Sequence, residues 1–199
     1  LARGLRRRLR RGSPLPQLRM RLQIAAPPRP PPLPLDCEVR AFVAGDEERW
    51  VALLNGDGDG GGELGAWTRQ RLQIDALAYL VPGTQWFVWC DALLAAGAGV
   101  YERSPAGWEV GWVATQPELR GRGLGRSAVT AAVTSALALP ARPVWLFTDD
   151  HRDAAIRLYL RLGFAPDSHH PSHPRRWHRV LERLGPEFCA HAIGDIAPG

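Results

Sequence analysis

The sequence contains no lysine: all 25 of its basic residues are arginines. That absence removes the Gly-Lys-Ser/Thr ending of a nucleotide-binding P-loop. Methionine occurs once, at Met20. Cysteine is scarce: Cys37, Cys90 and Cys189 are odd in number and far apart, which argues against a disulfide framework and against Cys-x-x-Cys metal sites. Free thiols of this kind point to a reducing cytoplasm. No stretch approaches the roughly 18 uninterrupted apolar residues of a membrane span. The longest weakly polar run, Ala92–Val100, is short and glycine-rich. What is present is ordinary for one globular domain with an extension: 199 residues, 45% hydrophobic and 23% charged.

Acidic residues are missing from one region only. Residues 1–35 hold nine arginines and no acid, whereas residues 36–199 carry sixteen arginines against twenty acids. The basic character therefore belongs to the tail, and the remainder is mildly acidic. A basic arm can touch nucleic acid or an anionic surface, but a bias toward Arg, Ala, Gly and Pro is also what a GC-rich coding sequence produces. The lone Met20 marks a candidate natural start, so residues 1–19 are read as an extension without function. The arm, with Ser13 alone, lacks the serine content of a transit peptide, and it lacks the apolar core of a secretory signal. Residues 25–35 (AAPPRPPPLPL) are read as a stiff polyproline spacer. The expected division is a basic, Pro-rich arm over 1–35 and a single domain over 36–199.

Periodicity then gives elements. Cys37–Val43 alternates as a strand, and Glu47–Leu54 follows as a helix. Asn55–Gly62 is a Gly-rich loop, and Glu63–Leu72 is expected to be helical with Trp67 on its buried side. Gln85–Cys90, Leu93–Tyr101 and Glu109–Thr115 read as strands, the last two joined by the turn Ser104–Gly107 into a hairpin. Gly125–Leu139 is a helix stopped by Pro140. Pro143–Phe147 is a short buried strand, and Asp153–Leu162 a second helix ended by Gly163. Phe164–Pro166 is a strand start, and Trp177–Leu184 fits a last strand or a short helix. The pattern predicts an α/β (α+β) fold with a mixed sheet flanked by helices.

The segment Thr115–Gly125 (TQPELRGRGLG) joins a strand to a long helix through a glycine-rich turn. Such a turn presents backbone N–H groups at a helix N-terminus, where the dipole favours negative charge. Arg120, Arg122 and Arg126 add charge, so a pyrophosphate-bearing ligand is the natural guest. A dinucleotide fingerprint needs G-x-G-x-x-G, but Gly121, Gly123 and Gly125 are spaced G-x-G-x-G.

Arg120-Gly121-Arg122-Gly123-Leu124-Gly125 resembles the Q/R-x-x-G-x-G/A acyl-CoA loop of the GNAT N-acyltransferase superfamily. Val113-Ala114-Thr115-Gln116-Pro117 looks like that family's strand entering the loop. Ala155-Ile156-Arg157-Leu158-Tyr159 with Leu162-Gly163-Phe164 resembles its A-x-x-L-Y…G-F signature. The resemblance implies a twisted mixed sheet splayed between two parallel strands, Glu109–Thr115 and Pro143–Phe147. It implies acetyl-CoA as cosubstrate, with Val113, Ala114 and Thr115 pairing with the pantetheine arm and Arg120, Gly121, Arg122, Gly123, Leu124 and Gly125 holding the pyrophosphate. Tyr159 would be the general acid for the departing thiolate, since a phenol is protonated at neutral pH. The activity implied is N-acetyl transfer to a primary amine on a small molecule or peptide, in a bacterial-type cytoplasmic enzyme that needs no metal, no membrane and no nucleic acid. Family members are often homodimers.

Two positions depart from the family. Arg152 stands where an Asn is common and is a candidate phosphate contact. Phe147 stands where a catalytic glutamate is common, so the base must lie elsewhere or be reached through a water: the candidates are Asp149 and Asp150 just past that strand, or His151 or Glu109. The missing strand carboxylate also motivates a second reading, a catalytically silent acyl-CoA-binding or sensing domain. A third, a nucleic-acid-associated protein using the arm, is ranked last. The histidines His169, His170, His173 and His178 are read as a substrate-facing loop favouring an anionic or carboxylate-bearing acceptor rather than as a metal site, because Pro166, Pro171 and Pro174 break any helix that would space ligands. Trp67, Trp86, Trp89 and Trp112 are candidates for an acceptor wall as well as for the core.

Overall fold

A computed structural model of the chain describes residues 15–26, 28–56 and 66–188. One sheet holds seven strands: β1 (Leu18–Leu22), β2 (Cys37–Ala41), β3 (Trp86–Cys90), β4 (Leu93–Ser104), β5 (Gly107–Thr115), β6 (Val144–Thr148) and β7 (Phe164–Asp167). Their spatial order is β2-β3-β4-β5-β6-β1-β7, antiparallel throughout except for the parallel β5–β6 pair. The helices are α1 (Glu47–Gly56), α2 (Arg69–Leu72), α3 (Leu124–Ala138), α4 (Asp153–Arg161) and α5 (His173–Leu184). The mixed sheet flanked by helices is the fold class that the alternating pattern predicts.

Strand alternation divides the core in two. On β3, Phe87 and Trp89 join Trp50, Leu53 and Leu54 of α1, while Val88 and Cys90 join Ala128, Val129 and Val133 of α3. Successive side chains on a strand point to opposite faces, so α1 and α3 cover opposite faces of the sheet. The β5–β6 pair is brief: Trp108 pairs with Val144 and Glu109 with Trp145, and the described residues make no further β5–β6 ladder pair. Beyond that point the two strands part, and the β6-facing backbone groups of β5 lose their strand partner, as the expected splay requires.

Several expectations are corrected. Leu18–Leu22, placed in the arm by its arginines, is a strand between β6 and β7. Its sequence LRMRL alternates with period two, and Leu18 and Met20 are fully buried. The boundary at Asp36 therefore does not hold, and a start at Met20 would cut the strand. Residues 28–34 carry no helix or strand, in keeping with a proline-rich connection, although Leu33 packs against the core. Cys37 and Cys90 are not free thiols: they face each other in the β2–β3 register, with Cα atoms 4.0 Å apart, and form a disulfide. The argument from free thiols to a reducing compartment loses that premise. Cys189 and the loop 57–62 lie outside the described residues.

Trp177–Leu184 is helical, and α5 begins at His173 with Pro174 in its first turn, where a missing N–H costs nothing. The helix expected over 63–72 starts only at Arg69, capped by Thr68, whose side chain accepts from the Arg71 N–H, and runs on into a π-helical turn, Gln73–Leu77. Trp67 is buried, as expected. Among the described residues no helix is long and apolar enough to cross a membrane.

Candidate active site

The turn before α3 is shaped by backbone conformation. Gly121 and Gly123 sit at φ +80° and +83°, and a Cβ at either would meet nothing within 4 Å, so handedness rather than crowding demands glycine. Gly123 is the N-cap of the 15-residue α3 and offers no side-chain cap. The first N–H groups of α3 have no acceptor within the helix, and the dipole adds to their pull on an anion.

These groups open onto a trough of about 550 Å³ between the β5 end, the turn and α4. Val113, Ala114, Thr115, Arg120, Gly121, Gly123, Leu124 and Gly125 line it, with Arg152 and Tyr159 on the opposite wall. Of the residues expected to bind the cofactor, only Arg122 is elsewhere; it pairs with Asp36 at 3.5 Å and ties the turn to the proline-rich connection. Tyr159 is buried on α4 with its ring edge-on to Phe164 at 6.1 Å.

The candidate bases past β6 are placed differently. Asp149 pairs with Arg152 at 3.2 Å and accepts from the Gln17 amide. Asp150 accepts from Arg176 at 3.0 Å, and that guanidinium holds its carboxyl below the ordinary range. Arg183 donates to the Asp150 carbonyl. Neither carboxylate lines the trough, whereas His151 does.

A second trough, about 490 Å³, lies on the other side of the same strands. Its floor comes from side chains that point away from α3: Glu109 on β5, Trp145 and Phe147 on β6, Arg19 and Arg21 on β1 and Asp167 on β7. Glu109 pairs with Arg103 at 3.3 Å. Burial pushes its carboxyl above the ordinary value, against the opposing pull of Arg103. A Cβ on Gly111 would come within 3.2 Å of the Glu109 Oε1, so the carboxylate leans along β5 over Gly111, toward the splay. Just beyond, Trp112 holds φ +46° at a register shift between β4 and β5, a local strain of the kind found at working sites.

Composition hid this second trough. Trp67 and Trp89 are core residues and Trp86 donates to Ser135, while the aromatic floor is Trp145 and Phe147. Of the four histidines, only His169 lines it; His173 is buried and His178 pairs with Glu182. Burial holds His173 below the usual histidine value. Among the described residues, only Asp36, Cys37 and Cys90 bring three metal-ligand atoms together, and two of those are tied in the disulfide.

Residues 25–164 match the Acetyltransferase (GNAT) family, and the chain belongs to it. It is 36% identical over 171 residues to a mycothiol acetyltransferase of Salinispora arenicola, covering 78% of this chain and 53% of that protein. It is 33% identical over 161 residues to one of Thermobispora bispora, covering 73% and 52%. The chain thus spans about half the length of these relatives. A putative GNAT acetyltransferase from Novosphingobium aromaticivorans superposes with a TM-score of 0.54 at 28% identity, covering 76% of this chain and 60% of its own. A GCN5-related N-acetyltransferase of Sphaerobacter thermophilus shares the fold, with a TM-score of 0.64 at 20% identity over 77% of this chain and 50% of that one.

Proposed function

We propose that this chain moves the acetyl group of acetyl-CoA to a primary amine by direct transfer. The observation that carries the reading is the pair of troughs on opposite sides of one splayed strand pair, with Tyr159 lining one and Glu109 the other. The glycine turn and the α3 N-terminus would hold the pyrophosphate, with Arg120 and Arg152 beside it. The stretch Val113–Thr115 of β5, beyond the last β5–β6 ladder pair, would pair with the pantetheine arm like an added strand. A backbone N–H of that stretch would receive the oxyanion.

Glu109 takes the base role in place of Asp149 and Asp150, neither of which lines either trough, and Asp150 is also held low by Arg176. A carboxyl with a raised pKa is a better proton acceptor near neutrality than one held low by a guanidinium. Glu109 accepts the amine proton as nitrogen bonds to the acetyl carbon. Tyr159 donates its proton to sulfur as the carbon–sulfur bond breaks, so no covalent enzyme intermediate is needed. The relatives' name supports the acetyl transfer, and the acceptor is read from this chain's own trough.

The test is calorimetric titration with acetyl-CoA beside amine-dependent thiol release. Binding with turnover supports the reading. Binding without turnover on any amine favours the silent acyl-CoA-binding domain, and no binding removes the basis of both.

A further inference from the structure

The second trough carries information on what the amine is attached to. Glu109 is the register partner of Trp145, and Trp145 that of Arg21, so the three stand in one row across β5, β6 and β1. Adjacent strands lie about 4.8 Å apart, which puts the Glu109 and Arg21 Cα atoms roughly 10 Å apart with the indole between them. The next row holds Phe147, Arg19 and Asp167. Phe147 is 37% exposed, and Arg19 is packed over the Trp145 ring.

The charges of the trough nearly cancel. Arg19 pairs with Asp167 at 2.6 Å, and Arg103 with Glu109 at 3.3 Å. Arg21 is exposed and has no polar partner among the described residues, which leaves one guanidinium charge uncompensated beside an apolar floor. The row thus reads, in order, proton acceptor, flat apolar surface and free cation.

We infer that the acceptor is an amine carrying a carboxylate at the far end of an apolar body about one dipeptide long, with Arg21 of the N-terminal strand as the residue that selects it. This rests on the acetyl-transfer reading. The amine sits at Glu109, the body lies over Trp145 and Phe147, and the carboxylate takes a charge-assisted hydrogen bond from Arg21. One uncompensated positive charge matches a carboxylate rather than a doubly charged phosphate. The indole between the two poles disfavours an α-amino acid, whose amine and carboxylate share one carbon. Arg21 acts on binding and not on the transferred proton, so its effect belongs in KM.

The experiment titrates the full chain calorimetrically with 6-aminohexanoate, hexylamine and 6-aminohexyl phosphate, and follows thiol release from acetyl-CoA with each. The acid is expected to bind about tenfold more tightly than hexylamine, the scale of one hydrogen bond to a charged group. The phosphate should bind no tighter than the acid. In Arg21→Gln the ratio of acid to amine falls to near one, with the change in KM rather than kcat, and Arg21→Lys restores part of it. Equal binding of acid and amine, a preference that survives in Arg21→Gln, or tighter binding of the phosphate overturns the inference. Thiol release without a carboxylate preference overturns it while sparing the acetyl-transfer reading. A carboxylate preference in binding without thiol release from any amine overturns the acetyl-transfer reading and the inference about its acceptor with it, leaving Arg21 as a carboxylate contact only.

Discussion

The two troughs that meet at the β5–β6 splay are built from different material. The trough between β5 and α4 is largely backbone: a glycine turn in left-handed conformation, the first N–H groups of α3 and the stretch Val113–Thr115 that lies beyond the β5–β6 ladder. The trough on the other side is made of side chains contributed by β1, β5, β6 and β7. Backbone sites fix the ligand class through local sequence, because consecutive residues must adopt consecutive conformations. Side-chain sites fix it through which strands become neighbours, and here the decisive neighbour enters from the N-terminal end of the chain.

That contrast can be attacked at several points. The largest effect is expected from deleting residues 1–35, which removes β1 from between β6 and β7 and should abolish cooperative thermal unfolding followed by circular dichroism. The milder Met20→Ala should lower stability by about 2–5 kcal/mol, the cost of truncating a fully buried side chain. If the deleted chain melts like the full one, β1 is dispensable and the second trough has no fixed wall.

Glu109→Gln is expected to lower kcat by about 10²–10⁴-fold, the scale of general-base catalysis. Asp150→Asn should instead lower the melting temperature. Because Arg176 depresses the Asp150 pKa, that carboxylate stabilises the fold above the ordinary carboxyl range and loses its contribution as pH falls through the depressed value. The variant should therefore flatten the acid side of the stability profile. A kcat loss in Asp150→Asn equal to that in Glu109→Gln would return the base to the β6 end.

On the backbone side, Gly123→Ala forces a Cβ into left-handed conformation at about 1–2 kcal/mol. It should weaken acetyl-CoA binding about tenfold by calorimetry, and unchanged affinity would separate the turn from the ligand. The smallest effect is sought in Arg103→Gln. Arg103 opposes the burial that raises Glu109, so its removal should move the rising limb of kcat/KM against pH further upward. A downward move would contradict the pairing.

Legibility followed the same division. Nine of the ten expected cofactor residues line one trough, and six of them fall in the continuous run Thr115–Gly125, where spacing is local. Arg122 escaped because the direction of a side chain in a turn depends on a distant partner, Asp36. The helices α3 and α4 and the β4–β5 hairpin were visible in their periodicity. β1 was hidden by composition: arginines on one face of LRMRL gave it the character of a tail, although its alternation was in plain view. The Cys37–Cys90 bond was not visible, since nothing local reports the β2–β3 register. Trp145, Phe147, Arg19 and Arg21 could not be assembled before the strand order was known.

The most direct test of the account is the pH dependence of kcat at saturating acetyl-CoA and amine, for the unaltered chain, Glu109→Gln and Tyr159→Phe. An acid and a base on opposite sides of β5–β6 predict a bell whose acidic limb disappears in Glu109→Gln, with kcat lower in both Glu109→Gln and Tyr159→Phe. A full bell at the unaltered rate in either variant would contradict it.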